Sequence, residues 1–205
     1  MEKNLKDHWE YIYSNKQPHE VSWTQEIPTT SLKLIEELNL SKDARIIDVG
    51  GGDSHLVDHL LKMGFTNLTV LDISDAAINR AKERLQSDAN KVKWVVSDIL
   101  DFSPDTTYTL WHDRASFHFQ ITEDAINQYL SILKKATEGY AIVGGFSTEG
   151  PKKCSALDIK QYNEEALQQC MAIANFKTLK TLRADHITPM GGSQNFLFGV
   201  FQKYA

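Results

Sequence analysis

Several features that mark secreted, membrane-spanning or nucleic-acid-binding chains are missing from this sequence. Only two cysteines, Cys154 and Cys170, occur among its 205 residues, and they form no Cys-x-x-Cys pair, which excludes a disulfide scaffold and favours a reducing cytoplasm. No run of about 18 apolar residues occurs, which excludes a transmembrane helix. Residues 1–7 are charged and lack the apolar centre of a secretory signal. The net charge of −5, without a long basic run, argues against a broad nucleic-acid-binding surface.

Internal repeats, low-complexity tracts and flexible linkers are also missing, which favours a single domain over residues 31–205. Residues 1–30 differ from the rest because they are rich in aromatic and polar side chains. Pro18 and Pro28 divide this segment into short pieces. We therefore expect an N-terminal arm that precedes the domain.

Beyond the arm, the apolar pattern alternates between that of a strand and that of a helix. Short apolar runs predict strands, and apolar residues at helical spacing predict helices. The predicted strands are 44–49, 68–71, 93–96, 108–111 and 140–143, and the predicted helices are 31–40, 54–63, 75–85, 122–135 and 162–174. Residues 179–183 and 196–202 are predicted to be a closing strand pair with an antiparallel edge strand. This alternation predicts a doubly wound α/β fold, with a mostly parallel sheet and helices on both faces.

A glycine-rich turn, Gly50-Gly51-Gly52, follows the first predicted strand. Such a turn lets a ligand approach the backbone, and dinucleotide, flavin and adenosyl sites all use it. His55 stands where the dinucleotide fingerprint requires glycine or alanine, and the Asp53 carboxylate would repel a pyrophosphate. Asp48, two residues before the turn, suits a cationic ligand with an amino or sulfonium group. An NAD-dependent oxidoreductase is therefore disfavoured.

Two further aspartates end or follow the next two predicted strands. Asp72 lies about 20 residues past the glycines, where an acid can bind ribose hydroxyls. Asp98 can accept a hydrogen bond from an adenine amino group, with Ile73 and Ile99 as the apolar faces of the adenine slot. Each aspartate taken alone is also compatible with a helix cap or a turn.

These segments together resemble the class I S-adenosylmethionine-dependent methyltransferases, over residues 40–202. Residues 46–54, 70–74 and 97–99 resemble the first three motifs of the family. The chain departs from it at Ser54, where a third glycine is commoner, and at residues 134–139, where a Pro-Gly-Gly turn is usual. The resemblance implies a Rossmann-like, seven-stranded, mostly parallel sheet with one antiparallel strand near its edge.

The resemblance also implies S-adenosyl-L-methionine as the cofactor. It places Asp72 on the ribose, and Asp98 with Ile99 on the adenine. Gly50 and Gly52 would contact the methionine portion, with Asp48 near the ammonium group.

The acceptor side of the site is expected at residues 111–119, after the fourth predicted strand. This segment gathers titratable and aromatic residues, and Asp113 and Arg114 are candidate catalytic residues, with an internal ion pair as the alternative. His112 or His118 is a candidate base, with a structural, hydrogen-bonded histidine as the alternative. No metal site is expected, since the His55/His59 pair has no third ligand in the pattern.

Residues 16–23 are predicted to form a lid over the cofactor. Trp23 would give apolar cover and Glu20 a carboxylate for a cationic acceptor, while an arm packed on the core is the alternative. Cys154 is expected to be a small wall residue rather than a nucleophile. Residues 186–195 would close the acceptor pocket or simply connect two strands.

Residues 111–115, residues 151–155 and the Glu20/Trp23 segment resemble a bacterial group of small methyltransferases that is similar to the mitochondrial lysine methyltransferase acting on citrate synthase. The implied acceptor is a protein lysine; a small-molecule amine, thiol or carboxylate stays open, because acceptors change by loop variation on a fixed fold. The alternative function is a non-catalytic module of the same fold that only binds S-adenosylmethionine.

Overall fold

The computed structural model describes residues 5–204, so residues 1–4 of the predicted arm and of the segment tested for a secretory signal lie outside the described residues, as does residue 205. The helices are α1 (Leu5–Asn15), α2 (Thr29–Glu37), α3 (Leu56–Lys62), α4 (Asp75–Leu85), α5 (Glu123–Ala136) and α6 (Glu164–Ile173). The strands are β1 (Arg45–Val49), β2 (Asn67–Asp72), β3 (Val92–Val96), β4 (Tyr108–Arg114), β5 (Thr137–Phe146), β6 (Lys153–Cys154), β7 (Leu157–Asp158), β8 (Phe176–Ile187) and β9 (Ser193–Lys203).

Seven of these strands form one sheet in the order β3-β2-β1-β4-β5-β9-β8, and β6 and β7 pair separately. The contacts among the first five strands of that order are parallel, whereas β9 is antiparallel to both of its neighbours. The predicted doubly wound, seven-stranded sheet with one antiparallel strand near its edge is confirmed. The edge itself is β8, because the β8–β9 hairpin inserts β9 between β8 and β5.

Side chains at helix starts set several boundaries. Ser74 and Thr122 accept hydrogen bonds from the backbone N–H three residues onward and cap α4 and α5 close to the predicted starts of these helices. Asn163 does the same for α6, which therefore begins two residues later than the pattern predicts. Helix α3 begins at Leu56 rather than at Ser54, since the glycine turn extends through His55.

The core lies on both faces of the sheet, because successive strand residues point to opposite faces. Ile47 and Trp111 pack toward α5 and α6, whereas Ile46 and Leu110 pack toward α2 and α3. Strand β4 extends to Arg114, three residues further than predicted, so residues 112–114 belong to the strand and not to a following turn. Their side chains consequently alternate between the two faces.

The arm contains a helix that the sequence pattern did not predict. Helix α1 is held on the start of α4 by Glu10, whose carboxylate accepts from the Ser74 hydroxyl at 2.8 Å and from the Ala76 N–H at 3.1 Å. A carboxylate at a helix N-terminus is a favourable placement, because the free N–H groups there carry partial positive charge. Within residues 5–204, no helix is both long and apolar enough to traverse a bilayer.

Candidate functional site

A single cleft opens at the carboxyl ends of β1, β2, β3 and β4, where the strand order reverses between β1 and β4. Ligands of doubly wound sheets bind in such a crevice. All but one of the predicted cofactor-binding residues line it, namely Asp48, Gly50, Asp72, Ile73, Asp98 and Ile99. The exception, Gly52, lies beneath the surface and donates its N–H to Oδ2 of Asp72 at 2.9 Å.

The glycine turn brings the backbone close to two carboxylates. Gly50 has a φ of +68°, which favours glycine, and its N–H donates to the Leu71 carbonyl oxygen at 2.8 Å. A Cβ added to Gly51 would lie 2.4 Å from Oδ2 of Asp48, and one added to Gly52 would lie 2.5 Å from Oδ2 of Asp72. Side chains at these two positions would therefore displace the carboxylates.

Asp72 ends β2 and is buried. Its two oxygens accept from the backbone N–H groups of Gly52, at 2.9 Å, and Ser74, at 2.8 Å. Burial raises the pKa of this carboxyl to about 7, against the opposing effect of the two hydrogen bonds. A carboxylate oxygen has more than one lone pair, so Asp72 retains capacity to accept from ribose hydroxyls.

Asp98 combines a structural bond with a place in the cleft. Its Oδ1 accepts from the Leu100 N–H at 2.9 Å and caps the short 3₁₀ turn Ile99–Asp101. Ile73 and Ile99 line the cleft beside it. The helix-cap and ligand-binding interpretations of Asp98 are thus compatible.

Asp48 and His112 are register partners in β1 and β4 and share one face of the sheet. Nδ1 of His112 lies 2.7 Å from Oδ1 of Asp48, and Nε2 lies 2.9 Å from the hydroxyl of Ser31 in α2. With both ring nitrogens engaged, His112 orients Asp48 and is not available as a base. Oδ2 of Asp48 is buried at the cleft without a partner in residues 5–204.

Asp113 lies on the opposite face of the sheet and outside the cleft lining, which corrects its predicted place beside the acceptor. Oδ2 accepts from the Tyr129 hydroxyl at 2.6 Å, and Oδ1 accepts from the N–H groups of Ser116 and Phe117 at 2.9 and 3.1 Å. Burial raises the pKa of this carboxyl to about 6. The alternative of an Asp113–Arg114 ion pair is also wrong, because consecutive strand residues point apart.

Arg114 returns to the cleft face, two residues beyond His112. Its Nη1 donates to the Trp23 carbonyl oxygen at 3.0 Å, and its guanidinium lies 4.9 Å above the ring of Phe196. Nη2 is buried and has no partner in the described chain. Burial lowers the pKa of Arg114 to about 10, so the side chain remains charged at neutral pH.

The arm covers the cleft with aromatic rings. Trp23 packs against Trp9 and Tyr13 of α1, with ring centroids 5.4 and 6.2 Å apart, and Trp9 also contacts Phe119 at 5.3 Å. These four residues line the cleft. Trp9 and Tyr13 were missed at the sequence level, although their spacing of four residues places both on one helix face.

Glu20 does not line the cleft, which corrects its predicted role toward a cationic acceptor. It is exposed, and its carboxylate accepts from the Gln17 N–H at 2.8 Å within the arm. The predicted closing segment 186–195 instead contributes His186, whose Nε2 donates to the Ser22 carbonyl oxygen at 2.6 Å. This bond ties the end of β8 to the arm.

Cys154 and His118 are both buried in un-ionised form. Cys154 lines the cleft, and burial raises the pKa of its thiol to about 12, as suits a wall residue. His118 lies outside the cleft lining, and burial lowers its pKa to about 3. Neither of its ring nitrogens has a partner in residues 5–204, so His118 does not act on a ligand in the cleft.

The turn that carries Asp53 is neutralised by arginines of α4. Arg84 bonds to Asp53 at 2.7 Å and to Asp58 at 3.0 Å, and Arg80 lies 3.5 Å from Asp53. The repulsion of a pyrophosphate by Asp53, inferred from sequence, is weakened by these pairs. His59 contacts the Glu26 carbonyl oxygen at 3.0 Å, and the described part of the chain contains no group of three side chains suited to a metal ion.

Known proteins with similar sequences carry methyltransferase names. Residues 46–138 match the family described as a methyltransferase domain. The chain is 23% identical to human EEF1A lysine methyltransferase 2 over 107 residues, 48% of this chain and 45% of that protein. It is 25% identical to the mouse eEF1A lysine and N-terminal methyltransferase over 122 residues, 58% of this chain and 17% of that protein. The chain thus spans less than half the length of these relatives.

Solved structures of methyltransferases share the fold. The 1,6-didemethyltoxoflavin-N1-methyltransferase of Burkholderia thailandensis, with bound S-adenosylhomocysteine, superposes with a TM-score of 0.75 at 16% identity, over 98% of this chain and 88% of that one. Magnesium protoporphyrin IX methyltransferase of Synechocystis PCC 6803, with bound SAM, superposes with a TM-score of 0.68 at 17% identity, over 98% of this chain and 92% of that one. Because the sequence identity is so low, these structural similarities establish the fold alone.

Proposed function

We propose that this chain, which carries a methyltransferase domain of the class I fold, transfers a methyl group from S-adenosyl-L-methionine to an acceptor bound in the same cleft. The observation that carries the proposal is the joint placement of Asp48, Asp72 and Asp98. These carboxylates stand at the ends of three adjacent parallel strands and line one cleft beside the glycine turn. Such a row matches the ammonium, ribose and adenine groups of the cofactor.

The residues present fit the cofactor. The buried Oδ2 of Asp48 has no partner among residues 5–204 and suits an ammonium group. Asp72 would hold the ribose hydroxyls, and Asp98, with Ile73 and Ile99, the adenine. The cofactor supplies an activated methyl group on a sulfonium. The contribution of the chain is to hold the acceptor in line and to exclude water.

In this proposal the arm acts as the lid of the domain formed by residues 31–205. Trp9, Tyr13 and Trp23 cover the cleft, and His186 and Arg114 both bond to backbone carbonyls of the segment 22–23. Arg114 contacts ligand in this proposal, and His112 holds Asp48 in place at the cleft. Asp113 supports the end of β4 from the opposite face of the sheet. Both cysteines are free thiols, which supports a reducing, cytoplasmic location.

The acceptor is a protein lysine or a small-molecule amine, thiol or carboxylate. The names of the curated relatives support a lysine, and the 1,6-didemethyltoxoflavin-N1-methyltransferase of the same fold supports a small molecule. A lysine or other amine acceptor must lose a proton before it attacks the methyl carbon, because its ammonium form has no lone pair. Water can accept that proton, and a thiolate or carboxylate acceptor has none to lose. In each case the electron pair of the broken carbon–sulfur bond stays on sulfur and neutralises the sulfonium.

Calorimetric titration with S-adenosylmethionine, S-adenosylhomocysteine and NAD in parallel tests the cofactor. Micromolar binding of the first two without an NAD signal is expected, and the D98A variant should bind more weakly. The matched control is D105A, because Asp105 pairs with Lys93 on the surface outside the cleft. No binding of either adenosyl ligand to folded protein would contradict the proposal.

Transfer of a radiolabelled methyl group to acceptors in a cell lysate tests the activity. Labelling that D98A reduces and D105A preserves is expected. Tight cofactor binding with no labelling of any protein or small-molecule fraction would favour the non-catalytic binding module instead.

A further inference from the structure

Arg114 is a cation at the cleft that forms no ion pair with a carboxylate of residues 5–204, although the charge of Asp48 acts on it through space. Its Nη1 is bonded to a neutral carbonyl oxygen, and its Nη2 is buried with no partner within residues 5–204. The ion pairs that the other arginines of the described chain form with aspartate or glutamate have no counterpart at Arg114. Burial of an unpaired charge is costly, so a ligand that supplies an anion here recovers free energy.

Asp48 is the acid that shares this face of the sheet with Arg114, and one of its two oxygens is bonded elsewhere. Asp48 and His112 are register partners, and Arg114 lies two residues beyond His112, so all three side chains share the face that carries the cleft. Oδ1 of Asp48 is bonded to His112, and no bond joins Asp48 to Arg114. The cleft thus offers one unpaired buried acceptor, Oδ2 of Asp48, and one unpaired buried donor, Nη2 of Arg114.

The charge of the cleft selects the kind of anion. Asp48, Asp72 and Asp98 line the same cleft, so a dianion such as a phosphate monoester is repelled. A planar monoanion matches the guanidinium plane and accepts from its N–H groups. A carboxylate meets both requirements.

We infer that Arg114 binds the carboxylate of a ligand in this cleft. The inference rests on the proposed function and assigns a residue to one of its ligands. Two sources supply that carboxylate: the methionine portion of the cofactor, whose ammonium would take Oδ2 of Asp48, and the acceptor. For an acceptor, the rings of Trp9, Trp23 and Phe119 line the cleft for an apolar body. Because like charges repel, this arrangement disfavours a lysine side chain beside Arg114.

Two pairs of probes separate these sources. S-adenosylhomocysteine and 5′-methylthioadenosine share the adenosyl group, but only the first has the amino acid carboxylate. Benzoate and benzamide form the second pair, because only benzoate carries a carboxylate. Both are titrated into protein saturated with S-adenosylhomocysteine or methylthioadenosine. Affinities are measured for the wild type, R114M and R114K, with circular dichroism confirming the fold of each.

Each pair of probes gives one ratio, the affinity of the carboxylate-bearing probe divided by that of its uncharged counterpart. We expect R114M to reduce at least one of these two ratios about tenfold or more, and R114K to reduce the same ratio less. If the affinity for S-adenosylhomocysteine falls relative to that for methylthioadenosine, Arg114 binds the carboxylate of the cofactor. If the affinity for benzoate falls relative to that for benzamide, Arg114 binds the carboxylate of the acceptor. Loss of the bond to the Trp23 carbonyl would weaken all probes alike and leave both ratios unchanged. Two unchanged ratios overturn the inference. Failure of the wild type to bind either adenosyl ligand would instead overturn the proposed function.

Discussion

Nδ1 of His112 lies 2.7 Å from Oδ1 of Asp48, and the other ring nitrogen lies 2.9 Å from the hydroxyl of Ser31. This row of hydrogen bonds joins β1, β4 and α2 through buried polar groups. A half-satisfied buried network is costly, so each member fixes the next. The imidazole thereby holds the carboxylate that faces the cleft.

Exchange of His112 for phenylalanine is expected to lower both stability and cofactor affinity. Asp48 would lose its only side-chain partner among the described residues, which costs about 1–3 kcal/mol of the free energy of unfolding. Urea unfolding and titration with S-adenosylhomocysteine measure the two effects. In S31A, which removes only the outer bond, the loss should be smaller, about 1 kcal/mol. An H112F variant with wild-type stability and affinity would contradict the role of His112.

Asp72 is expected to make the ligand-free protein less stable as the pH rises from about 4 to about 7. The folded-state pKa of about 7 exceeds the ordinary value near 4, so in this window the folded protein holds a proton that the unfolded chain has released. Urea unfolding at several pH values measures the slope for the wild type and for D72N. The stability of the wild type relative to D72N should fall toward pH 7, and a constant difference would show that Asp72 does not titrate in this way.

The same titration should affect the ligand. Ribose hydroxyls donate to a carboxylate better than to a protonated carboxyl, so the affinity for S-adenosylhomocysteine should rise between pH 6 and pH 8 in the wild type, about one unit either side of the pKa of Asp72 near 7. In D72N the rise should disappear. A pH dependence that survives in D72N would have to come from another group.

Exchange of Gly52 for alanine is expected to reduce cofactor affinity about tenfold or more. The new Cβ would lie 2.5 Å from Oδ2 of Asp72 and 2.6 Å from Cβ of Ala77, so the turn or the carboxylate must move. The matched control is G192A, whose Cβ would meet only the Thr188 hydroxyl at 3.4 Å. Calorimetry of both variants checks this, and equal affinities for G52A and G192A would count against the close approach of the turn to Asp72.

Exchange of Glu10 for alanine is expected to loosen the lid. The Glu10 carboxylate bonds to Ser74 and Ala76 at the start of α4, an interaction worth about 1 kcal/mol. Release of S-adenosylhomocysteine should accelerate about fivefold, which stopped-flow fluorescence of Trp9 and Trp23 would follow. The control is E83A, on the exposed surface of α4. Equal release rates in the two variants would argue against α1 as a lid.

Exchange of Asp113 for alanine is expected to act on folding. Three donors, on Tyr129, Ser116 and Phe117, would lose their acceptor, at a cost of about 3 kcal/mol. Y129F removes one of the three bonds and also the Tyr129 hydroxyl that accepts from Nε1 of Trp111 at 2.9 Å, so it should cost about 2 kcal/mol. Thermal unfolding compares the two variants. If D113A kept the wild-type melting temperature and lost turnover, Asp113 would regain the catalytic role that the sequence suggested.

The placement of the predicted cofactor-binding acids at one edge of the sheet could be read from the sequence because its signals are local. A buried strand, a glycine turn and an aspartate at a strand end are each written in a few neighbouring residues. Parallel strands then bring Asp48, Asp72 and Asp98 to one edge of the sheet whatever the rest of the chain does. The caps at Ser74 and Thr122 were predictable for the same reason.

The acceptor side was decided by tertiary contacts. The pattern ended β4 three residues early, and only the observed strand shows that Arg114 and His112 face the cleft while Asp113 faces α5. The placement of the arm over the cleft depends on bonds between distant residues, such as Glu10 with Ser74 and Trp23 with Arg114. Local propensity carries no information on such pairs. The sequence by itself determined the fold and the row of acids, and tertiary packing decided which other polar groups line the cleft.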